Sequence, residues 1–260
     1  MEDRELLCYT AYTMPQQNQT YWNNIAKEYD KNVSEKGDIR HEKIINPVVF
    51  ELLGDLRNKA VLDAGCGNGY FSRKIAKKAQ KVIGIDFTYE LIQKAKRKNS
   101  SQNIEFIEGD LEHLPFPLAT FDVILCNMVL MDVERLNKVV SEFNRVVKTK
   151  GIIIISIIHP CFENPPRTYS LFDGKGIRIG SVIQKYFETG LVKDEKNKIN
   201  NEPYQHYHYM ISDYLNSFTE NKLYLEKMVE PNGFVIDKSN EMGMNSDAPT
   251  FLVMKFVKRN

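Results

Sequence analysis

The 260-residue chain contains no run of about 18 consecutive apolar residues, so no membrane-spanning helix is expected. After Met1 come the acidic Glu2 and Asp3, and the basic-then-apolar layout of a secretion signal is not expected here. Cysteine is scarce: Cys8, Cys66, Cys126 and Cys161 lie far apart, with no C-x-x-C pair. The zinc and dithiol redox spacings are therefore absent, no metal centre is expected, and reduced thiols in a cytoplasmic protein are the reading. An excess of either charge is lacking too. The 35 basic and 34 acidic residues leave +1, which gives no bulk attraction for nucleic acid or an acidic membrane. No internal repeat or low-complexity segment stands out. The 42% hydrophobic content is enough at this length for one generous domain, or one domain with an insertion.

The informative stretch runs from Val61 to Tyr70. Val61 and Leu62 end a short apolar run that reads as a buried strand, Asp63 closes it, and Gly65, Gly67 and Gly69 alternate behind it. The pattern then turns helical, with Phe71, Ile75, Ala76 and Ala79 on one face. A strand that runs through a glycine loop into a helix lets a ligand approach the backbone and meet unpaired N–H groups. A dinucleotide fingerprint wants a small residue at position 70, and Tyr70 weakens that reading. No Gly-Lys-Ser/Thr follows, so a nucleoside-triphosphate loop is out.

Along the rest of the chain, residues 1–20 read as a flexible polar tail, and 21–260 as one domain. Tyr21, Trp22, Ile25, Ala26 and Tyr29 trace a short helix. It either packs on the domain or closes over a ligand, with Tyr21 and Tyr29 facing inward. A helix is expected from about Pro47 to Leu56, with proline in the favourable first turn. Lys81 to Asp86 is a second strand, and Thr88 is the expected N-cap of a helix that buries Leu91, Ile92 and Ala95. Ile104 to Glu108 is a third strand, followed by Gly109 and Asp110, and Phe121 to Cys126 a fourth, ending at Asn127. The stripe Leu136, Val139, Val140, Phe143, Val146 and Val147 marks a helix, and Ile152 to Ile158 is an apolar fifth strand suited to the covered centre of a sheet. From about Pro160 to Met210 the periodicity fades, and this segment reads as a loop-like insertion. A helix from Ile211, a strand ending near Glu230, and a last strand from Phe251 to Val257 complete the chain.

Alternation of strand and helix predicts an α/β fold, a doubly wound and mostly parallel sheet. Ligands of such sheets sit beyond the carboxyl ends of the strands, where strand order reverses. Asp63, Asp86, Asp110 and Asn127 each fall at or just past one of those ends. Any one of them reads as a cap or loop residue, but four on one rim exceed what capping needs. A carboxylate at the end of the second strand is placed to accept both hydroxyls of a ribose, and Asp110 to accept from the exocyclic amine of an adenine. The ligand so described is an adenosine carrying a small charged tail and no phosphates.

Here the chain resembles the class I S-adenosylmethionine-dependent methyltransferases, in the type 11-like branch that acts on small molecules. The matching segments are Val-Leu-Asp-Ala-Gly-Cys-Gly-Asn-Gly, Val-Ile-Gly-Ile-Asp, Glu-Gly-Asp-Leu-Glu-His-Leu-Pro-Phe and Phe-Asp-Val-Ile-Leu-Cys-Asn. They are co-linear from roughly Tyr21 to Ser156. The resemblance implies a Rossmann-like sheet of seven strands, with an antiparallel strand at the C-terminus and residues 160–210 inserted as a substrate cap. It implies S-adenosyl-L-methionine as cofactor, with Gly65, Cys66 and Gly67 near its methionine tail and Asp63 orienting that loop or the amino group. Asp86 would hold the ribose, Phe87 flank the adenine, Asp110 and Leu111 read its edge, and Asn127 pass the methionine moiety. Tyr21 and Tyr29 resemble N-terminal aromatics that close over the cofactor, and Arg40 is a charge partner for its carboxylate. After Asn127 many members carry a histidine, where this chain reads Met128, Val129, Leu130, Met131 and Asp132.

The expected reaction is direct displacement of the sulfonium methyl by a small-molecule acceptor, in which alignment and removal of water are the main tasks. His159, directly after the fifth strand, ranks first as a polar catalytic group, against the bland alternative of a strand-capping histidine. The rings of Tyr204, His206, Tyr207 and His208 are substrate-binding candidates, against packing beneath a helix, and Glu163 and Glu202 are weaker candidates. Two alternatives stay open: methylation of RNA or protein, which the neutral charge disfavours, and a binding module that holds the cofactor without turnover.

Overall fold

The computed structural model describes residues 16–33, 37–162, 167–176, 178–231 and 248–260. The first helix, α1 (Gln16–Val33), is followed by a π-helical turn (His41–Ile45) that runs straight into α2 (Asn46–Leu53). Strand and helix then alternate: β1 (Ala60–Ala64), α3 (Tyr70–Ala76), β2 (Lys81–Asp86), α4 (Tyr89–Lys98) and β3 (Ile104–Glu108). Next come β4 (Phe121–Asn127), a 3-10 turn (Leu130–Asp132), α5 (Leu136–Val146) and β5 (Val147–Ile158). Four short strands follow, β6 (Thr168–Phe172), β7 (Arg178–Ile183), β8 (Gly190–Ile199) and β9 (Glu202–His208). The chain ends with α6 (Ile211–Glu220), β10 (Leu223–Val229) and β11 (Phe251–Lys258).

Seven strands form one sheet in the order β10-β11-β5-β4-β1-β2-β3. The pairs β1–β2, β2–β3, β1–β4 and β4–β5 are parallel, and β11 runs antiparallel to both β5 and β10. The expected doubly wound sheet with an antiparallel C-terminal strand is the observed one. The order reverses at β1, which lies between β2 and β4, so a crevice opens beyond the carboxyl ends of these strands. Apolar side chains cover both faces of the sheet. One core gathers Phe143, Phe218 and Phe256 against α5 and α6, and the other gathers Val49, Phe71, Ile75 and Ile92 against α2, α3 and α4. Among the described residues no helix is long and apolar enough to cross a membrane.

Four expectations need adjustment. Residues 1–15 of the expected tail lie outside the described residues, and Gln16–Thr20 already belongs to α1. The helix expected from Pro47 to Leu56 starts one residue earlier and stops at Leu53, where Gly54 leaves helical geometry at φ 64°. Thr88 stands at the N-cap of α4 but makes no side-chain cap; its backbone N–H donates instead to Asp86 Oδ1 at 2.8 Å. The segment 160–210 is two hairpins, β6–β7 and β8–β9, rather than loop. Each strand of a two-stranded ribbon has solvent on much of both faces, so polar residues such as those of Lys193–Lys196 blur the alternation that would mark it.

The close approach that a third glycine would make in a dinucleotide fold is made by Gly69. It lies at φ 74°, where an added Cβ would stand 2.5 Å from Phe106 Cζ and 3.0 Å from Ala95 Cβ. Tyr70 begins α3 with its ring buried and edge-on to Phe71.

α6 is held to the sheet by stacked rings, Phe218 on Phe256, with centroids 3.9 Å apart and both side chains fully buried. Truncating Phe218 leaves a void that a covered sheet face cannot close. Phe218→Ala is expected to cost about 3–5 kcal/mol in chemical denaturation; a loss below 1 kcal/mol would mean that α6 is not part of the core.

Candidate active site

A cleft, about 870 Å³ with the open solvent at its mouth included, lies beyond the carboxyl ends of β1, β2 and β4. Its floor is the glycine loop. The N–H groups of Gly65 and Cys66 both donate to the Ile85 carbonyl, at 2.8 and 3.0 Å, so the loop is pinned to β2. The N–H of Gly67 donates to Asp86 Oδ2 at 2.9 Å, while Asp86 Oδ1 takes the Thr88 N–H. Asp86 is buried, and burial raises its carboxyl above the ordinary range; the two backbone N–H groups oppose that rise by stabilising the anion. Gly65 sits at φ 75° with Val129 directly above it, and any Cβ there would collide with the isopropyl group.

Asp63 lies one layer deeper. Its Oδ2 accepts the Ser72 hydroxyl at 2.5 Å, which ties β1 to α3. Burial, with a smaller push from Asp86, raises its carboxyl to about 6. Asp63 and the buried Cys66 support the loop from beneath and do not line the cleft.

The far wall comes from the ends of β3 and β4. Asp110 Oδ1 accepts the Glu112 N–H at 2.9 Å, and Leu111 packs beside it, buried. Asn127 Oδ1 accepts the Ser156 hydroxyl at 2.5 Å, and Asn127 Nδ2 reaches the Tyr70 hydroxyl at 3.4 Å. Met128 follows in the left-handed region at φ 60°, held there by its N–H on the Ser156 carbonyl and hydroxyl at 2.9 and 3.0 Å. This kink turns Met128, Val129, Asp132, Val133 and Glu134 onto the cleft wall.

α1 forms the roof. Asn18, Trp22 and Tyr29, at i, i+4 and i+11, face the cleft. The helix is strapped to both rims: Gln19 Nε2 donates to the Phe87 carbonyl at 3.0 Å, and Asn18 Nδ2 donates to the Asp132 carbonyl. Trp22 meets Tyr29 edge-on, with centroids 5.3 Å apart. Tyr29 is half-buried against Gly67, and desolvation, then the nearby Asp86 and Asp132, pushes its phenol well up.

Of the residues singled out in the sequence, Tyr29, Gly65, Gly67, Asp86, Phe87, Asp110, Leu111 and Asn127 line this one cleft. Others stand elsewhere. Tyr21, on another face of α1, is buried towards the Gln205 backbone, and burial pushes its phenol up to about 12. Arg40 lies beside Asp38, whose carboxyl is lowered chiefly by His41, and is not on the cleft wall.

His159 is a correction. Its Nδ1 accepts the Cys161 N–H at 3.2 Å and its Nε2 meets Glu230 Oε1 at 3.0 Å, so the ring bridges the end of β5 to the end of β10, away from the cleft. One nitrogen holds a backbone N–H and the other meets the Glu230 side chain, and the ring does not line the cleft.

The β9 rings do not line the cleft either. His206 and His208 are buried, and His208 Nε2 meets the Tyr186 carbonyl at 2.9 Å. Tyr204 stacks at a tilt on His206. Tyr207 comes nearest: its phenol is raised by burial and then by Glu134 and Glu112, both on the cleft wall. The β8–β9 hairpin leans on α1, through Asn24 to Glu202 at 3.1 Å and Asn200 to the Asn24 carbonyl at 2.8 Å. Glu202 is thereby a roof contact, and Glu163 lies outside the described residues.

Sequence reasoning passed over Asn18, Gln19, Trp22, Glu112, Asp132 and Glu134. Trp22 carried a signal, since it shares the helical period of Tyr29. Asp132 carried none beyond standing in the stretch that departs from the family pattern. Asp110, Glu112 and His113 bring ligand atoms within 4.8 Å of one another, but Glu112 is paired with Arg135 and lies 3.8 Å from Lys138, and His113 Nε2 lies 2.7 Å from Lys138 Nζ. An ion-pair network fills that cluster.

Comparison with known proteins agrees with this arrangement. Residues 55–175 match a family model described as a methyltransferase domain. A malonyl-[acyl-carrier protein] O-methyltransferase of Hamiltonella defensa is 36% identical over 110 residues, 42% of each chain. A demethylmenaquinone methyltransferase of Lactococcus lactis is 29% identical over 161 residues, 59% of this chain and 64% of that one. The matches thus span about half the length of the curated relatives. The crystal structure of an S-adenosylmethionine dependent methyltransferase from Mesorhizobium loti superposes with a TM-score of 0.68 at 21% identity, over 81% of this chain and 96% of that one, which shows a shared fold.

The raised carboxyl of Asp63 has a consequence for stability. Between its ordinary value of 3.8 and about 6, the folded protein holds a proton that the unfolded chain has released, so stability falls as pH rises through that window. Asp63→Asn keeps an acceptor for Ser72 and removes the titration. Urea denaturation from pH 4 to 7 is expected to show a decline roughly 2–3 kcal/mol steeper in the wild type than in the variant; parallel curves would contradict a buried, proton-holding Asp63.

Proposed function

We propose that this chain, whose residues 55–175 match a methyltransferase-domain model, is a class I S-adenosylmethionine-dependent methyltransferase that moves the methyl group of S-adenosyl-L-methionine onto a small-molecule acceptor by direct displacement. The observation that carries the reading is Asp86, a buried carboxylate at the tip of β2. Gly67 and Thr88 steer its two oxygens, and it opens on the same cleft as Asp110 and Tyr29. An anion held by two backbone N–H groups keeps lone pairs for the paired hydroxyls of a ribose. Phe87 and Leu111 would flank the adenine, Asp110 accept from its amine, and Gly65 and Gly67 admit the methionine tail. The fit rests on the cradle itself, where Gly65 and Gly67 line the cleft at positive φ without a side chain of their own.

The cofactor supplies a sulfonium methyl whose leaving thioether is neutral. The protein is left with alignment and dehydration. α1, strapped to Phe87 and to Asp132, covers the cleft and excludes water. The malonyl-carrier and demethylmenaquinone activities in the relatives' names support a small-molecule acceptor over RNA. The near-neutral charge supports the same, and we place the protein in the cytoplasm, with Cys66 and Cys126 as buried free thiols.

Calorimetry with S-adenosylhomocysteine is expected to show one site per chain. Asp86→Ala is expected to weaken it about 10–100-fold, the equivalent of about 1.4–2.7 kcal/mol. Absence of binding heat in the wild type would remove the proposed function.

A further inference from the structure

The cleft wall carries five carboxylates, on Asp86, Asp110, Glu112, Asp132 and Glu134, and among the described residues it carries no lysine, arginine or histidine. Three of the five have an assignment. Asp86 holds the glycine loop, Asp110 faces His113, and Glu112 is paired with Arg135 and approached by Lys138. Asp132 and Glu134, on the kinked segment after β4, do not.

Asp132 is the more telling. Its side chain faces the cleft beneath Trp22, whose indole steadies its anion, and among the described residues no cation pairs with it. The groups that face it from the packed elements are Trp22, Tyr21 and Tyr29 of α1, Asp86 of β2 and Cys126 of β4. All are neutral or acidic. Drawing a carboxylate part-way out of water costs free energy that a cation arriving to pair with it would offset. Desolvation, with Asp86 adding to it, accordingly lifts its carboxyl well above the usual range. The Trp22 and Tyr29 rings stand beside it, and aromatic faces attract ammonium groups.

We infer that the acceptor is an amine, bound as its ammonium between Asp132 and Trp22, and that Asp132 is the catalytic residue that takes its proton. The inference rests on the methyltransferase reading above and deepens it. The ammonium R–NH3+ gives one proton to the Asp132 carboxylate and becomes R–NH2. The nitrogen lone pair forms the new N–C bond to the methyl while the C–S bond breaks, its electron pair going to the neutral thioether. The product is the N-methylammonium, and the proton on Asp132 passes to solvent. A carboxylate acceptor would meet Asp132 and Glu134, with no cation lining the wall beside them, so electrostatics select against it.

The chain has a single tryptophan, Trp22, so its fluorescence reports on this end of the cleft. The full chain, saturated with S-adenosylhomocysteine, is titrated with three probes of one shape: 2-phenylethylamine, 2-phenylethanol and 3-phenylpropanoate. The amine is expected to bind at least about tenfold more tightly than the alcohol or the acid, and to gain one methyl by mass when S-adenosylmethionine is supplied. Asp132→Asn is expected to erase that preference while leaving S-adenosylhomocysteine affinity within about threefold. Equal or tighter binding of the alcohol or acid, or no binding of the amine, overturns the inference. So does a variant that loses cofactor and amine affinity in step, which would assign Asp132 to the cofactor. A wild type that fails to bind S-adenosylhomocysteine defeats the methyltransferase reading itself, a separate result. Should the variant not fold, the wild-type ranking of the three probes still decides the acceptor class.

Discussion

The contact between the Asp86 carboxylate and the Gly67 N–H is the constraint around which the site is arranged. It joins the tip of β2 to the loop that leaves β1, and so fixes the two halves of the crevice at the point where strand order reverses. An unpaired carboxylate at this depth would favour protonation; two backbone donors work against that and leave an acceptor facing the cleft. Alternating glycines serve the same contact, because the loop must turn through positive φ at Gly65, Gly67 and Gly69 to present its amides. Asp63 carries the arrangement one layer further in by tying β1 to α3 through Ser72.

Around that fixed floor stand the walls and the roof. The roof, α1, is attached by two side-chain amides to backbone carbonyls on opposite rims, by Asp30 to Lys94, Lys98 and Asn68, and by the β8–β9 hairpin resting on its outer side, with Ile25, Ala26 and Val33 buried beneath it. It closes the cleft over a ligand held on that floor. The acidic wall complements such a ligand: a sulfonium-bearing cofactor is itself a cation at its reacting atom, and acids without bases around it lower the cost of bringing in a second positive group.

Much of this was legible in the residues, for physical reasons. Parallel strands buried on both faces must be apolar, so Val61–Leu62 and Ile152–Ile158 declared themselves, and a polar residue at the end of such a strand has nowhere to be but the rim. That is why Asp86, Asp110 and Asn127 could be placed together before any coordinates. The hairpins of 168–183 and 190–208 were read as loop because two-stranded ribbons show no strict alternation. His159 stands at a strand end, as Asp86 does, but on the far side of β4, where β11 and Glu230 surround it; position along a strand does not reveal which neighbour closes over it. Asp132 was invisible for a different reason. Its place in the cleft depends on the left-handed kink at Met128, a backbone feature that a methionine does not announce.

The central claim is that acids at successive strand tips converge on one nucleoside. A crystal structure of the chain with S-adenosylhomocysteine measures this most directly. The account predicts the ribose with both hydroxyls on the Asp86 carboxylate and the adenine between Phe87 and Leu111, its amine towards Asp110. A ribose bound away from Asp86, or an adenine on the Asn127 side of the cleft, would contradict it.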